Sequence, residues 1–542
     1  MTSPAAYVLA VDLGSSGPKV ALFSERAELV AQATAAVATR ATADGGGEQD
    51  PAEWWRATTA CVQSIVAERH VPVERIAAIS CAAQWSVTAA VDAAGEPLMN
   101  AVHWSDSRGA PYTRQITDGW IKVSGYGLRR MLAWVRLTGG VPTHSGADAL
   151  AHILFIKHER PDVYRRTHKF LEPVDFLNLR LTGRMCASHA SVFPYLLTDN
   201  RDNTRVKYAQ QLISWCGLDR EKLPELVPVG SIVGTLLPAA AAAWGLPAGT
   251  PVVAGTPDSQ AAALGSGATR DFAAHACVGT TAWLSCHVPF KKTNLLDYLA
   301  TMPSALHGRN MVTAEQGAAG KCLETLVEQW LFADADRSPD GRAGVYEQVE
   351  RLAASAAPGS DGLLFLPWLN GAGPPSGDST MRGGFLNQSL RTGRAEAVRA
   401  VIEGVSFNLR WLQASVERFV GRRFAELNFI GRAAKSEVWC ETLADVLDRP
   451  VHRMSEPQMA TSRGAALAAL VALGRISVAQ IPDLVRVERT FQPDAARAAM
   501  YRDLFTTWLA SYKATRPIFR RLQRHSAGAN GAAAKLSTID RH

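Results

Sequence analysis

At 542 residues the chain is too long for one hydrophobic core, so two large domains are expected. Composition is that of a globular protein, 47% hydrophobic and 20% charged, and the net charge of +7 is spread along the chain apart from RPIFRRLQRH near the C-terminus, so nucleic-acid binding is not indicated. Eight cysteines without a C-x-x-C pair argue against a zinc site or disulfide framework, and MTSPAAYVLA carries no signal-peptide pattern; with no run of 18 apolar residues to cross a membrane, a cytoplasmic protein is expected.

Residues 7–23, YVLAVDLGSSGPKVALF, read as two apolar strands around Gly-Ser-Ser-Gly, with Asp12 closing the first. A Walker A loop needs wider glycine spacing and a following helix, and the dinucleotide fingerprint also needs that helix. Here Val20–Phe23 continue as strand. What remains is a β-hairpin whose turn offers backbone N–H groups and two serine hydroxyls to a polyphosphate, or an ordinary hairpin turn. An aspartate beside phosphate makes sense if a divalent cation lies between them.

After ATADGGGEQD, Asp50 and Pro51 predict the start of a helix over AEWWRATTACVQSIVAER. RIAAISCAA reads as a strand, followed by QWSVTAAVDAAGEPL with a turn at Ala93-Ala94-Gly95. A helix is predicted at about 147–160, and PVVAG reads as a strand that turns into a helix opened by Asp258. AHACVGTTAWLSCHV then repeats strand–turn–strand without the aspartate, either a second domain of the same topology or an unrelated hairpin. A long helix over RAEAVRAVIEGVSFNLRWLQASVERFV and a strand–turn–helix over ELNFIGRAAKSEVWCETLADVL follow, and residues 525–542 read as a disordered tail.

VDLGSSGPK, the later Gly-Thr-Thr turn and FIGRAAKS resemble the two phosphate motifs and the adenosine motif of the actin-like ATPase fold. Within that fold the chain resembles the FGGY carbohydrate kinases, the group containing xylulokinase and glycerol kinase. QDPAEWW, AISCAAQWSVTAAVD, WSDSR, PVDFLNLRLTG, VVAGTPDSQAAALGSG and RGGFLNQSLRTGRAEAVRAVIEGVSFNLR carry the resemblance in family order. It implies an α/β fold of two actin-like, ribonuclease H-like domains with a nucleotide and substrate cleft between them. The N-terminal domain would span 1–268 and the C-terminal domain 269–524.

The resemblance also implies ATP- and Mg²⁺-dependent phosphorylation of a hydroxyl on a small sugar or polyol, by a monomer or homodimer. Asp258 would be the general base, although an aspartate there also suits a helix cap. Asp12, with Asp258, would hold the metal. Gly14, Ser15, Ser16, Gly17 and Lys19 would face the phosphates from one side, and Gly279, Thr280 and Thr281 from the other. Gly431, Arg432, Ala433 and Ala434 match the adenosine segment, and Gln84, Trp85, Ser86, Asp106, Arg108, Asp258 and Ser259 the substrate contacts. Trp85 offers a stacking face and an indole donor; Asp106 and Arg108 border the cleft or form an interdomain salt bridge. The sequence departs from the family at Gln84-Trp85-Ser86-Val87, at Gly371–Pro375, where a Glu-Arg pair is missing, and at Arg432. The segment 109–150 is also longer than usual, which suits a substrate lid, a dimer contact or a surface hairpin. These departures motivate an alternative, a noncatalytic kinase relative that binds nucleotide for regulation or assembly.

Overall fold

The computed structural model describes residues 6–334, 336 and 338–539. Two sheets organise it. The first has six strands in the order Ile232–Thr235, Pro251–Pro257, Ile76–Ala83, Tyr7–Gly14, Gly17–Ser24, Leu29–Thr34. Tyr7–Gly14 runs antiparallel to Gly17–Ser24 and parallel to Ile76–Ala83. The second sheet has eight strands, and at its centre the same device recurs. Ala274–Val278 pairs antiparallel with Ala282–Val288 and parallel with Leu427–Ile430. The second hairpin is therefore a topological repeat of the first.

Strands buried on both faces explain the unbroken apolar runs. Leu9, Val11 and Leu13 face a core with Trp54 and Ile65, while Val8 and Ala10 face one with Ala465 and Leu470. Trp54 and Ile65 come from the helix Pro51–Ala67, which Asp50 starts by accepting a hydrogen bond from Ala52 N. Trp54, Thr58, Cys61, Val62 and Ile65 form its buried stripe, at helical spacing. The predicted helices at about 147–160 and over RAEAVRAV…RFV appear as Ala149–Glu159 and Arg394–Val420, the latter ended by left-handed Gly421.

The helix Ala460–Ala472 lies late in the chain yet packs on the first sheet, where it crosses Asp258–Gly265. The crossing is glycine on glycine: a Cβ on Gly265 would sit 1.7 Å from Ala460 O, and one on Gly464 1.7 Å from Ala261 O. Buried Arg463 beside it donates from Nε to Gly265 O at 2.8 Å and from Nη1 to Ser455 O at 2.6 Å. The end of the helix that begins at Asp258 is thereby fixed to the second half of the chain.

Residues 109–150 fold as the helix Ala110–Ile116, a short hairpin (Lys122–Val123 with Tyr126–Gly127) and the helix Leu128–Leu137. Lys291 Nζ reaches across from the second half to donate to Val135 O and Arg136 O, each at 2.9 Å, and Thr293 Oγ1 donates to Gly139 O at 2.6 Å. A cation on the carbonyl end of a helix is favourable electrostatically. The segment therefore bridges the two halves. The last helix runs from Ala495 to Ile539, over most of the segment expected as a tail, and 540–542 lie outside the described residues. Among the described residues no helix is long and apolar enough to cross a membrane.

Candidate active site

The first turn is built tightly. Gly14 and Gly17 pair across it, and Gly17 takes φ 127° where a Cβ would lie 2.1 Å from Ala35 O. Only glycine fits. The carbonyls of both serines are tied back, Ser15 O by Gln49 Nε2 at 2.8 Å and Ser16 O by Val37 N at 3.0 Å. Trp104 Nε1 donates to Ser15 Oγ at 2.9 Å, which leaves the hydroxyl's own proton available to an anion. Below the turn Asp12 and Lys19 face each other in register, with Lys19 Nζ 2.6 Å from Asp12 Oδ2. Asp12 is buried. Its charge outweighs burial and raises the Lys19 ammonium above its usual range, with Arg432 opposing and Asp258 assisting. Residues from three distant parts of the sequence therefore share one field.

Asp258 is the first residue of its helix, directly after Pro257, so it is not the capping residue. Its Oδ1 accepts from Ser259 N at 2.6 Å. Desolvation and the charges of Asp12 and Glu315 raise its carboxyl to about 7, against that hydrogen bond and Lys19. A carboxyl held there is half ionised near neutral pH, which suits a proton acceptor. Ser259 is buried behind it.

Glu315, on the strand Asn310–Gln316, is the site residue that sequence reasoning missed. Although part of it faces solvent, the cleft strips enough water from its carboxyl to raise it to about 7, against a hydrogen bond from Thr281. The signal was present: Glu315-Gln316-Gly317 closes an apolar strand with a carboxylate before glycine, as Asp12 does.

In the second turn, Gly279 N donates to Thr281 O at 2.9 Å. Its carbonyls are occupied by the start of the helix Gly320–Leu326: Gly279 O accepts from Gly320 N at 2.9 Å, and Thr280 O from Ala319 N and Lys321 N at 3.0 and 3.2 Å. Thr280 is exposed, whereas the Thr281 hydroxyl, expected on phosphate, is committed to Glu315. Gly431 follows the strand Leu427–Ile430, and Ala433 and Ala434 are buried beneath exposed Arg432. Arg432 acts electrostatically on Lys19, which places it near the first turn. Ser436 caps the next helix, accepting from Trp439 N at 3.0 Å.

The segment Gln84–Val87, expected to contact substrate, connects the strands Ile76–Ala83 and Ala89–Val91 and differs most from expectation. Trp85 Nε1 donates to Ser191 O at 2.9 Å and its ring stacks on Phe193, 5.7 Å between centroids. The indole donor is thus already used, and Trp85 is a fixed wall. Ser86 takes the left-handed conformation, φ 57°, uncommon outside glycine. It is held from behind, where Val87 N donates to buried Glu172 Oε2 at 3.1 Å. Burial raises Glu172 and neighbouring Asp175 well above the usual carboxyl range. Gln84 is buried, with Nε2 on Gln49 Oε1 at 2.7 Å and its own Oε1 without a partner among the described residues.

Asp106 and Arg108 form their ion pair within the first half, not as an interdomain salt bridge. Asp106 is fully buried and accepts from Gly47 N at 3.0 Å, Arg108 N at 2.8 Å and Arg108 Nε at 2.9 Å. Arg108 Nη2 also pairs with Glu48 at 2.8 Å, and its guanidinium lies over Phe155 at 4.3 Å. Every one of these partners belongs to the first half. The pair braces the loop before Pro51 from within the first half, because a buried charge of this kind is held by saturating its partners.

As for a metal, no group of three or more candidate ligands occurs among the described residues. Asp12 and Asp258 offer hard carboxylate oxygens close enough for one to raise the other's pKa. That set fits Mg²⁺, which uses one or two carboxylates with water and phosphate oxygens.

Two halves of repeated topology, with Lys19 and Asp12 from the first turn, Arg432 and Glu315 from the second half and a perturbed Asp258 carboxyl in one field, have the two-domain actin-like fold. Residues 7–265 match the N-terminal domain of the FGGY family of carbohydrate kinases and residues 287–473 its C-terminal domain, and the chain belongs to that family. It is 28% identical to a xylulose kinase of Escherichia coli strain K12 over 94% of this chain and 99% of that one. A ligand-bound xylulose kinase structure from Lactobacillus acidophilus superposes with a TM-score of 0.82 at 21% identity, covering 95% of this chain and 100% of that one. A gluconate kinase structure from the same organism gives 0.81 at 21%, covering 96% and 100%. The protein is a carbohydrate kinase.

Proposed function

We propose that the chain transfers the γ-phosphoryl group of ATP to a hydroxyl of a small sugar or polyol, a ketose such as xylulose first among them. The observation that carries this reading is Asp258: a carboxyl raised to about 7, at a helix start, in the field of Asp12 and Lys19. In this reading Asp258 accepts the proton of the attacking hydroxyl as the new O–P bond forms. Lys19, the Ser15 hydroxyl and Arg432 orient and neutralise phosphate oxygens, with Thr280 facing them from the second turn. Mg²⁺ held by Asp12 would supply further charge neutralisation. Gln84 Oε1 and the Trp85–Ser86 turn receive the acceptor.

The working units would be 1–268 and 269–524, joined at the Gly265–Gly464 crossing. The eight cysteines are buried free thiols, which suits a reducing cytoplasm. The relatives named xylulose kinase favour a ketose, and the gluconate kinase places sugar acids beside it in the trial set. The test is ADP release with Mg-ATP over xylulose, gluconate, glycerol and the pentitols. Turnover on one of these, absent without it, supports the reading; nucleotide binding without turnover on any overturns it.

A further inference from the structure

Gln49 lies in the QDPAEWW segment, just before the helix Pro51–Ala67, and is wholly buried. Its hydrogen-bonding capacity is fully used. Nε2 donates to Ser15 O and to Thr39 Oγ1, both at 2.8 Å, and Oε1 accepts from Trp54 Nε1 at 2.9 Å and Gln84 Nε2 at 2.7 Å. The orientation of the amide is unambiguous. Turning it over would set its NH₂ against two donors and its oxygen against a carbonyl.

Two of the four partners belong to different jobs. Ser15 is in the proposed phosphate turn, and Gln84 follows the strand Ile76–Ala83 at the proposed acceptor site. A second strut runs beside this one, Gln84 N to Leu13 O at 2.8 Å. Gln84 is itself half used: Nε2 is held by Gln49, while Oε1 is buried and unpartnered among the described residues. An unpaired buried carbonyl is costly, and a ligand hydroxyl is the natural donor to relieve it. The path from that unpaired oxygen to the phosphate turn is two amide side chains long.

We infer that Gln49 is a positioning residue that couples the acceptor site to the phosphate turn, so that the turn's grip on nucleotide depends on the amide of Gln84. The inference rests on the functional reading above. Gln49→Glu keeps the size of the side chain and an acceptor for Trp54 and Gln84, but it replaces the donor facing Ser15 O with an oxygen. Gln84→Met keeps the length at the far end and removes the amide.

The test is the affinity of the purified full chain for Mg-AMP-PNP without sugar, by calorimetry, in wild type, both single variants and the double variant. Gln49→Glu should weaken binding about tenfold, the worth of a lost buried hydrogen bond. Gln84→Met should weaken it severalfold although it lies at the proposed acceptor site. The double variant should be no weaker than Gln49→Glu alone, because both act through one chain of contacts. A thermal unfolding midpoint for each variant establishes that it is folded, and Gln84→Met carries the test by itself if Gln49→Glu is not. Wild-type affinity in Gln84→Met, or losses that multiply in the double variant, overturns the coupling. Failure of the wild type to bind nucleotide is a separate result, and it overturns the functional reading and this inference together.

Discussion

Lys19 and Asp12 stand opposite each other on the first hairpin with Nζ 2.6 Å from Oδ2, and the lysine is the more exposed partner, its side chain 34% accessible against 3%. The buried carboxylate holds the ammonium at the edge of the cleft, where a phosphate can share it. Lys19→Met removes that charge and leaves Asp12 without its partner. It should raise KM for Mg-ATP at least tenfold, roughly the worth of one charge-assisted hydrogen bond, and lower the thermal midpoint. Lys19→Arg should recover part of both. Steady-state kinetics at saturating sugar measures the first, and an unchanged KM in Lys19→Met removes Lys19 from the nucleotide site.

The pH dependence follows from Asp258. Its carboxyl is raised to about 7, so it is protonated and idle as a base below that pH and ionised above it. The free-enzyme profile of kcat/KM should therefore rise with pH to a plateau, with its inflection near 7. Glu315 contributes to the upward shift and Lys19 opposes it. Glu315→Gln should move the inflection to lower pH and Lys19→Met to higher pH. Shifts of the opposite sign would mean that the titrating group is not Asp258.

The same group ties activity against stability. A carboxyl raised in the folded state favours folding less once it ionises, so its cost is absent below the ordinary aspartate value and complete above about 7. Asp258→Asn should therefore raise the thermal midpoint, and more so at pH 8 than at pH 5. In the same variant kcat should fall by about 10² to 10⁴, the usual contribution of a general base. A midpoint that falls at alkaline pH contradicts the electrostatic description of the cleft.

The crossing of Gly265 and Gly464 reverses an ordinary rule. In a solvated helix Gly→Ala gains about 1 kcal/mol. Here the new methyl would lie 1.7 Å from a carbonyl oxygen, so the helices must separate. Gly464→Ala should lower the thermal midpoint and kcat together, since the helix displaced is the one that starts with Asp258. A midpoint at or above wild type would show that the contact is looser than this.

The legible parts of this molecule were local. Asp12 and the Gly17 turn stood out because a carboxylate and a glycine-rich turn interrupt apolar strands, and Asp258 because it opens a helix straight after one. Side-chain partnerships across long sequence gaps were not legible. Nothing near Trp85 announces that its indole N–H donates to Ser191 O, and nothing in WSDSR shows that Asp106 and Arg108 close on Gly47 and Glu48. Glu315 obeyed the rule that identified Asp12 and was missed because its strand was not singled out. The bridge from 109–150 to Lys291 and Thr293 joins segments some 155 residues apart, beyond the reach of any periodicity.

The central claim is that Asp258 takes the proton of a sugar hydroxyl during phosphoryl transfer. The most direct measurement is sugar-dependent ADP release by wild type and Asp258→Asn, at pH 8 with Mg-ATP, on whichever of xylulose, gluconate, glycerol and the pentitols the wild type uses. The wild type should release ADP only when that acceptor is present, and the variant should bind nucleotide with near wild-type affinity yet turn over at least about a hundredfold more slowly. Equal turnover by the two proteins, or ADP release by the wild type that no acceptor stimulates, contradicts the claim.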